Sequence, residues 1–311
     1  EHYAKNHGLP LIHVQHHHAH VASVIAENNL TGKVIGISFD GTGYGTDGCI
    51  WGGEIFICDE ANAERIAHLK YVNMIGGDSS VKDAVRSALS YIYSYDTSYY
   101  SYSLNASENA SETPYDHRCP SCTQSSQCRI IQVDISDIIE YGKERILSLP
   151  KSALAAKALE KGINTVKSSS MGRLFDAVSA LLNIKDYNNY EGQCAIMLED
   201  AAAFAQKCPG LSKKCDMALS FHNRIIDMTI CECIAARKKY HTNQVALSGG
   251  TFQNKILMEG ILEKLRGNGF KPYYNVSVSP NDGGIALGQA YVAGNFIRKN
   301  SDSHIKQRAK I

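Results

Sequence analysis

Residues 244–299 constrain the fold most, because strand and helix patterns alternate there twice. "QVALSGG" (244–250) is a short apolar run of the kind a buried strand carries, and "FQNKILMEGILEKLRGNG" (252–269) spaces its apolar residues as a helix does. "KPYYNV" (271–276) reads as a second short strand, and "GGIALGQAYVAGNFIRK" (283–299) as a closing helix. Upstream, "GKVIGISFDGTGYGTDG" (32–48), "CIWGGEIFICDE" (49–60) and "ERIAHLKYV" (64–72) are three strand patterns in succession, which predicts an antiparallel meander. A meander followed by such alternation predicts an α/β fold with a mixed sheet. Helical spacing recurs over 15–28, 81–95, 152–163, 172–184, 192–207 and 221–240, and no internal repeat is evident.

Residues 96–128 break this patterning. "DTSYYSYSLNASENASETPYDHRCPSCTQSSQC" is rich in Ser, Tyr and Asn with no sustained apolar period, and reads as a mobile insertion. We set the region 96–150 apart as a low-complexity insertion. It contains His117, Cys119, Cys122 and Cys128 as H-x-C-x2-C-x5-C, a set able to ligate zinc. With a single C-x2-C in such surroundings, loop thiols are the preferred reading.

The 311 residues, 44% of them hydrophobic, suffice for a substantial core in one large domain or two lobes. Lys and Arg number 32 against 31 Asp and Glu, a net charge of +1, so bulk charge predicts no nucleic-acid partner. No run of ~18 apolar residues predicts a membrane span, and "EHYAKNHGLPLI" lacks the parts of a signal peptide. The ten cysteines, several inside helical patterns as Cys194, Cys231 and Cys233 are, then read as reduced thiols. A cytoplasmic location follows as the expectation, with the sequons at Asn105 and Asn109 unglycosylated.

Three glycine-rich junctions offer converging backbone N–H groups to an anion. "FDGTGYGTDG" supplies Asp40, Gly41, Thr42 and Gly43, although a hairpin turn explains it equally well. "LSGGTFQN" ends a strand and opens a helix, whose N-terminus favours an anion. "SPNDGG" places Asp282 just before the final helix, as a ligand or a cap. Together the three suggest a nucleotide held between two lobes.

"HVQHHHAHVAS" (13–23) carries five histidines. In a helix over 15–28, His16 and His20 are i and i+4 on one face, a spacing that lets two imidazoles share a divalent metal. A carboxylate such as Asp282 would complete a two-His, one-carboxylate site with open positions. His17 and His18 point elsewhere; a polar surface cluster is the alternative.

The segments "VQHHHAHVAS", "SFDGTGYGTDGCIWGGE", "SSSMGRLFDAVSALL", "YEGQCAIMLE", "LSGGTFQNKIL" and "PNDGGIALGQA" resemble, in this order, the C-terminal carbamoyltransferase module of the HypF family of [NiFe]-hydrogenase maturation proteins. The resemblance runs from about Tyr3 to Gly294, interrupted over 96–150. It implies an actin/Hsp70/sugar-kinase-like (ASKHA) two-lobed fold, related to the TsaD family of tRNA threonylcarbamoyl transferases. Residues 1–32 with the helix 283–299 would be the remainder of the first lobe, and 33–282 the nucleotide-binding second lobe. The first lobe would be truncated at its N-terminus, and the chain poorly stable alone.

In that family a YrdC-like module, normally on the same chain, converts carbamoyl phosphate and ATP to carbamoyl-adenylate. The C-terminal module passes the carbamoyl group to the C-terminal cysteine thiol of HypE. The resemblance implies metal ligation by His16, His20 and Asp282, with zinc or iron as the divalent metal. It implies phosphate contact by Asp40, Gly41, Thr42 and Gly43, ribose contact by Gly172 and Asp176, and adenosine contact by Gly249, Gly250 and Asn254. His17 or His18 is the candidate general base. Alternatives are a TsaD-like transferase acting on tRNA, a small-molecule O-carbamoyltransferase, and an inactive fragment that binds nucleotide or partner.

Overall fold

The structure is a computed structural model and describes residues 2–77, 79–105 and 128–308. In chain order the elements are α1 (His2–Asn6), α2 (His16–Glu27), β1 (Val34–Tyr44), β2 (Ile50–Cys58), β3 (Ala63–Leu69), β4 (Val72–Ile75), α3 (Ser79–Lys82), α4 (Ala84–Asn105) and β5 (Arg129–Ile131). Then come α5 (Ser136–Ser148), α6 (Ser152–Glu160), β6 (Thr165–Ser168), α7 (Met171–Leu181), α8 (Gln193–Lys207), α9 (Lys213–Tyr240), β7 (Gln244–Ser248), α10 (Lys255–Gly267), β8 (Lys271–Tyr274) and α11 (Ile285–Arg308). Single 3-10 turns, Gly250–Gln253 and Asp282–Gly284, precede α10 and α11.

The strands form one mixed sheet in the order β4-β6-β2-β1-β7-β8, with β3 pairing to β2 and β5. The meander is present: β1–β2 and β2–β3 are antiparallel. β1–β7 and β7–β8 are parallel, each joined through helices.

Strand alternation assigns the two faces. Ile35, Ile37 and Phe39 of β1, Ile55 and Ile57 of β2, and Val245 and Leu247 of β7 enter the larger core with α4, α7, α9 and α10. Val34, Phe56 and Ala246 face the other way, against Val21, Val24 and Ile25 of α2. Gly36 lies on that second face, where a Cβ would come within 2.6 Å of Val21 Cγ1. α2 therefore rides directly on β1, and Ser38 and Asp40 continue the same parity toward its histidine-bearing end. α11 packs outside α2 at a crossing so close that a Cβ on Gly288 would sit 2.7 Å from the Ala19 carbonyl carbon.

Two expectations are corrected. The chain does not turn at Asp40: β1 runs through Gly41, Thr42 and Gly43 to Tyr44, with a register shift between Phe39 and Gly43. The reversal comes later, where Gly45 N–H donates to Cys49 O at 2.9 Å. Nor is 96–150 all insertion. α4 continues to Asn105, β5 pairs with β3, and α5 buries Ile138, Ile139 and Ile146 in the main core. Apolar spacing in "ISDIIEYGKERIL" was sufficient to find α5; the neighbouring polar tract masked it. His117, Cys119 and Cys122 lie outside the described residues, while Cys128 is buried. Among the described residues no helix is long and apolar enough to cross a membrane.

Candidate metal centre

Four side chains from three elements converge: His16, His20, Asp40 and Asp282, their ligand atoms all within 4.8 Å of one another. α2 provides the histidines one turn apart, and the parity of β1 aims Asp40 at them. Asp282 arrives on the turn before α11. That turn is tied to the end of β7, since Gly249 N–H donates to Pro280 O at 2.9 Å, and it is closed internally by Asn281 Oδ1, which accepts from Gly283 N–H at 3.0 Å. It is tied to α2 as well. Glu27 accepts from Val276 N–H at 2.8 Å, and Asn275 bridges Ser23 Oγ at 3.1 Å and Ser248 Oγ at 2.9 Å.

The separations have a meaning. His16 Nε2 lies 3.2 Å from His20 Nε2 and 3.2 Å from Asp40 Oδ2. His20 Nε2 to Asp40 Oδ2, His16 Nε2 to Asp282 Oδ1 and His20 Nε2 to Asp282 Oδ1 are each 3.4 Å. A tetrahedron whose centre-to-vertex distance is ~2.0–2.1 Å, as for zinc with nitrogen and oxygen ligands, has edges of about 3.3–3.4 Å. The five edges that include a histidine, 3.2–3.4 Å, lie near that figure, while the carboxylates of Asp40 and Asp282 stand wider, within 4.8 Å of each other, so the four residues can gather round a divalent cation once the carboxylates draw in. Burial opposes ionisation of Asp40, but hydrogen bonds with His16 and His20 outweigh it and hold its carboxyl well below the usual range. The bond with Asp40 likewise raises the pKa of His16.

The structure brings together the three residues proposed as ligands from sequence and adds Asp40, which sequence reasoning had placed in a phosphate turn. Counting alternate residues from Gly36 would have found it.

His17 and His18 do not act as a pair. The Gln15 amide is oriented by His18 N–H, which donates to Oε1 at 2.9 Å; its Nε2 then donates to His17 Nδ1 at 3.1 Å and Tyr44 O at 3.1 Å. The His17 proton is thereby placed on Nε2, which is buried without a partner among the described residues. Burial lowers the pKa of His17 to about 3 and that of His18 to about 4. Both are neutral and weakly basic, and the charge that acts on His18 is that of Asp59. Neither has the environment of a general base at neutral pH.

The glycines divide by the space beside them. Gly41 faces an opening in which a Cβ would meet only Arg173 Nη2, at 4.0 Å, and Thr42 is exposed. A Cβ at Gly43 would be 2.6 Å from His16 Cδ2, at Gly172 2.8 Å from Gly41 Cα, and at Gly249, where φ is +107°, 2.7 Å from the Phe39 carbonyl carbon. Close packing accounts for these three. Gly250 N–H is spent on Asp40 Oδ1 at 3.1 Å.

The N-terminus of α10 is already filled from within. Glu199 Oε1 accepts from Lys255 N–H at 2.7 Å, and Asn254 Oδ1 from Leu257 N–H at 2.9 Å. Asn254 Nδ2 donates to His222 Nε2 at 3.0 Å, so this side chain is held as a cap. Asp176 is 1% exposed, paired with Arg173 and hydrogen-bonded by Asn188, so its carboxylate is turned to these two side chains inside the fold.

Beside the cluster, sequence reasoning missed a buried charge network. Arg65 spans Asp47 at 3.2 Å and Glu54 at 3.1 Å, with its guanidinium 3.8 Å over the Trp51 ring. Tyr71 and Trp51 also donate to Asp47, and Ser169 donates to Glu54. It ties the reversal after β1 to the residues leading into α7; breaking such a pair costs about 3–5 kcal/mol.

Comparison with known proteins gives the chain a family. A family model described as "Carbamoyltransferase, Kae1-like Domain, second subdomain" matches residues 36–215 and 205–289. A carbamoyltransferase HypF from Rhodobacter capsulatus is 32% identical over 316 residues, covering 94% of this chain and 37% of that protein. One from Synechocystis sp. is 29% identical over 327 residues, covering 92% and 37%. A crystal structure of full-length HypF in its phosphate- and nucleotide-bound form superposes with a TM-score of 0.71 at 34% identity, over 95% of this chain and 37% of that one. The chain thus spans little more than a third of the length of each of these three. With a mixed sheet that superposes on HypF and a family model that covers most of its length, the chain belongs to the HypF carbamoyltransferase family.

Proposed function

We propose that this chain forms the carbamoyl-transfer site of a HypF-type enzyme, taking the carbamoyl group from carbamoyl-adenylate to the C-terminal cysteine thiol of a HypE-like protein. The observation that carries this reading is the convergence of His16, His20, Asp40 and Asp282, with ligand atoms within 4.8 Å of one another, in a chain of this family. His16, His20, Asp40 and Asp282 would hold a divalent cation, zinc or iron. That cation supplies Lewis-acid polarisation of a carbonyl or phosphoryl oxygen.

The protein's own part is to bind and orient. The opening beside Gly41, with the exposed Thr42 hydroxyl next to it, takes the phosphate of the adenylate. In the transfer a C–S bond forms at the carbamoyl carbon, its bond to the phosphate oxygen breaks, and AMP leaves. The thiol proton goes to solvent or to the partner, because His17 and His18 are too weakly basic to take it. ATP and carbamoyl phosphate are consumed in a YrdC-like part of the protein, outside the third that this chain matches. The ASKHA relationship and its two-lobed division are part of the same proposal.

The test is transfer of labelled carbamoyl from carbamoyl-adenylate. Label on the HypE cysteine, lost together with bound metal in His20→Ala and Asp40→Asn, is the expected result. Label on tRNA and none on protein refutes it.

A further inference from the structure

The guanidinium of Arg173 has no role in the site described so far, and its surroundings are unusual. Arg173 lies in the first turn of α7, where Ser170 Oγ accepts from its N–H at 3.0 Å. The same Oγ donates to Gly41 O at 2.5 Å, which locks the start of α7 against β1. Arg173 is only 9% exposed, yet its side chain has a single partner among the described residues, Asp176, with Nη2 2.8 Å from Oδ2. Its Nε is buried with no acceptor. A guanidinium has five N–H donors, so most of this one is unspent. Leaving such donors unpaired in a nearly closed setting is unfavourable unless something else binds them.

The end of the guanidinium borders the opening at Gly41, where a Cβ would meet nothing nearer than Arg173 Nη2, at 4.0 Å. Asp176 is itself fixed by Asn188, whose Nδ2 donates to Oδ1 at 3.2 Å. The fork is therefore held beside Gly41 by a buried carboxylate that pairs with Nη2 and leaves Nη1 and Nε without a protein acceptor among the described residues. A planar fork so held suits a tetrahedral oxyanion with two adjacent oxygens, that is, a phosphate.

We propose that Arg173, oriented by Asp176, is the phosphate-reading residue of this site and receives the phosphate of a nucleotide lying across Gly41. This rests on the reading that a nucleotide occupies that face. Asp176 is a positioning residue, in place of the direct ribose contact expected from the family resemblance.

Titration calorimetry of the full chain with adenosine, AMP and inorganic phosphate tests it, using the native protein, Arg173→Gln and Arg173→Lys. Gln retains a donor for Asp176, and Lys retains the charge without the fork, so one variant serves if the other does not fold. The native protein should prefer AMP to adenosine. Arg173→Gln should weaken AMP by about 10- to 150-fold, the worth of a charge-assisted hydrogen bond, and leave adenosine unchanged. Arg173→Lys should show a smaller loss confined to AMP. Inorganic phosphate binding that also falls in both variants assigns the effect to the phosphate group alone. An AMP preference unchanged in both variants overturns the assignment and leaves the nucleotide reading intact. A native protein that binds neither adenosine nor AMP overturns both.

Discussion

The crossing of α11 over α2 at Gly288 should control metal affinity from a position that touches no ligand. A Cβ at Gly288 would lie 2.7 Å from the Ala19 carbonyl carbon and 2.9 Å from Ser23 N. Ordinary contact between such atoms is about 3.5–4.0 Å, so Gly288→Ala must separate the helices locally by about 1 Å. Overpacking of this kind costs about 1–3 kcal/mol. Ala19 lies between His16 and His20 on α2, and Asp282 sits on the turn that opens α11. The displacement therefore widens the edges from Asp282 to the histidines, now 3.4 Å each. Ligand distances must hold within about 0.2 Å, so affinity should fall about 10- to 100-fold, the range for displaced supporting groups. Metal titration against a competing chelator measures this, with thermal unfolding alongside. Gly294→Ala is the control, since nothing lies within 4 Å of a Cβ there and the helix-propensity gain of about 1 kcal/mol is shared. Gly288→Ala should be 1–3 kcal/mol less stable than this control. Native metal affinity in Gly288→Ala would refute the coupling between the crossing and Asp282.

Two further outcomes follow from burial. Burial depresses the pKa of His222 to about 4, below the ~6.5 of an unfolded histidine, so the unfolded state binds more protons between those values. Its contribution is complete above pH ~6.5 and is lost as pH falls toward 4, at full effect roughly 3 kcal/mol. Denaturant midpoints at pH 7 and pH 5 should differ less in His222→Gln than in the native protein; equal differences would contradict the assignment. Gly249→Ala should lower stability by at least about 2 kcal/mol, from positive φ and overlap with Phe39. Gly41→Ala should change it by less than about 0.5 kcal/mol, because its Cβ enters open space. Similar urea midpoints for the two variants would show that the glycines are equivalent.

By itself the sequence determined what local periodicity can carry. Alternation in 32–72 and 244–276 located β1, β2, β3, β7 and β8, and apolar spacing located α2, α7, α8 and α10 with ends off by a few residues. The one-turn spacing of His16 and His20 followed from helix geometry alone. Segments without clear period were misjudged: the ends of 96–150 joined the core because β5 pairs with β3 and Ile138, Ile139 and Ile146 are buried. Only the tertiary structure decided which residues meet. Asp40 turned from a turn residue into a fourth candidate ligand because β1 runs on past it under α2. Gly172 and Gly249 stand against backbone, and Asn254 is spent on α10 and His222. Period tells which face a residue occupies, but what covers that face is set by strand order and helix crossings between positions up to some 260 residues apart, and no local pattern encodes it.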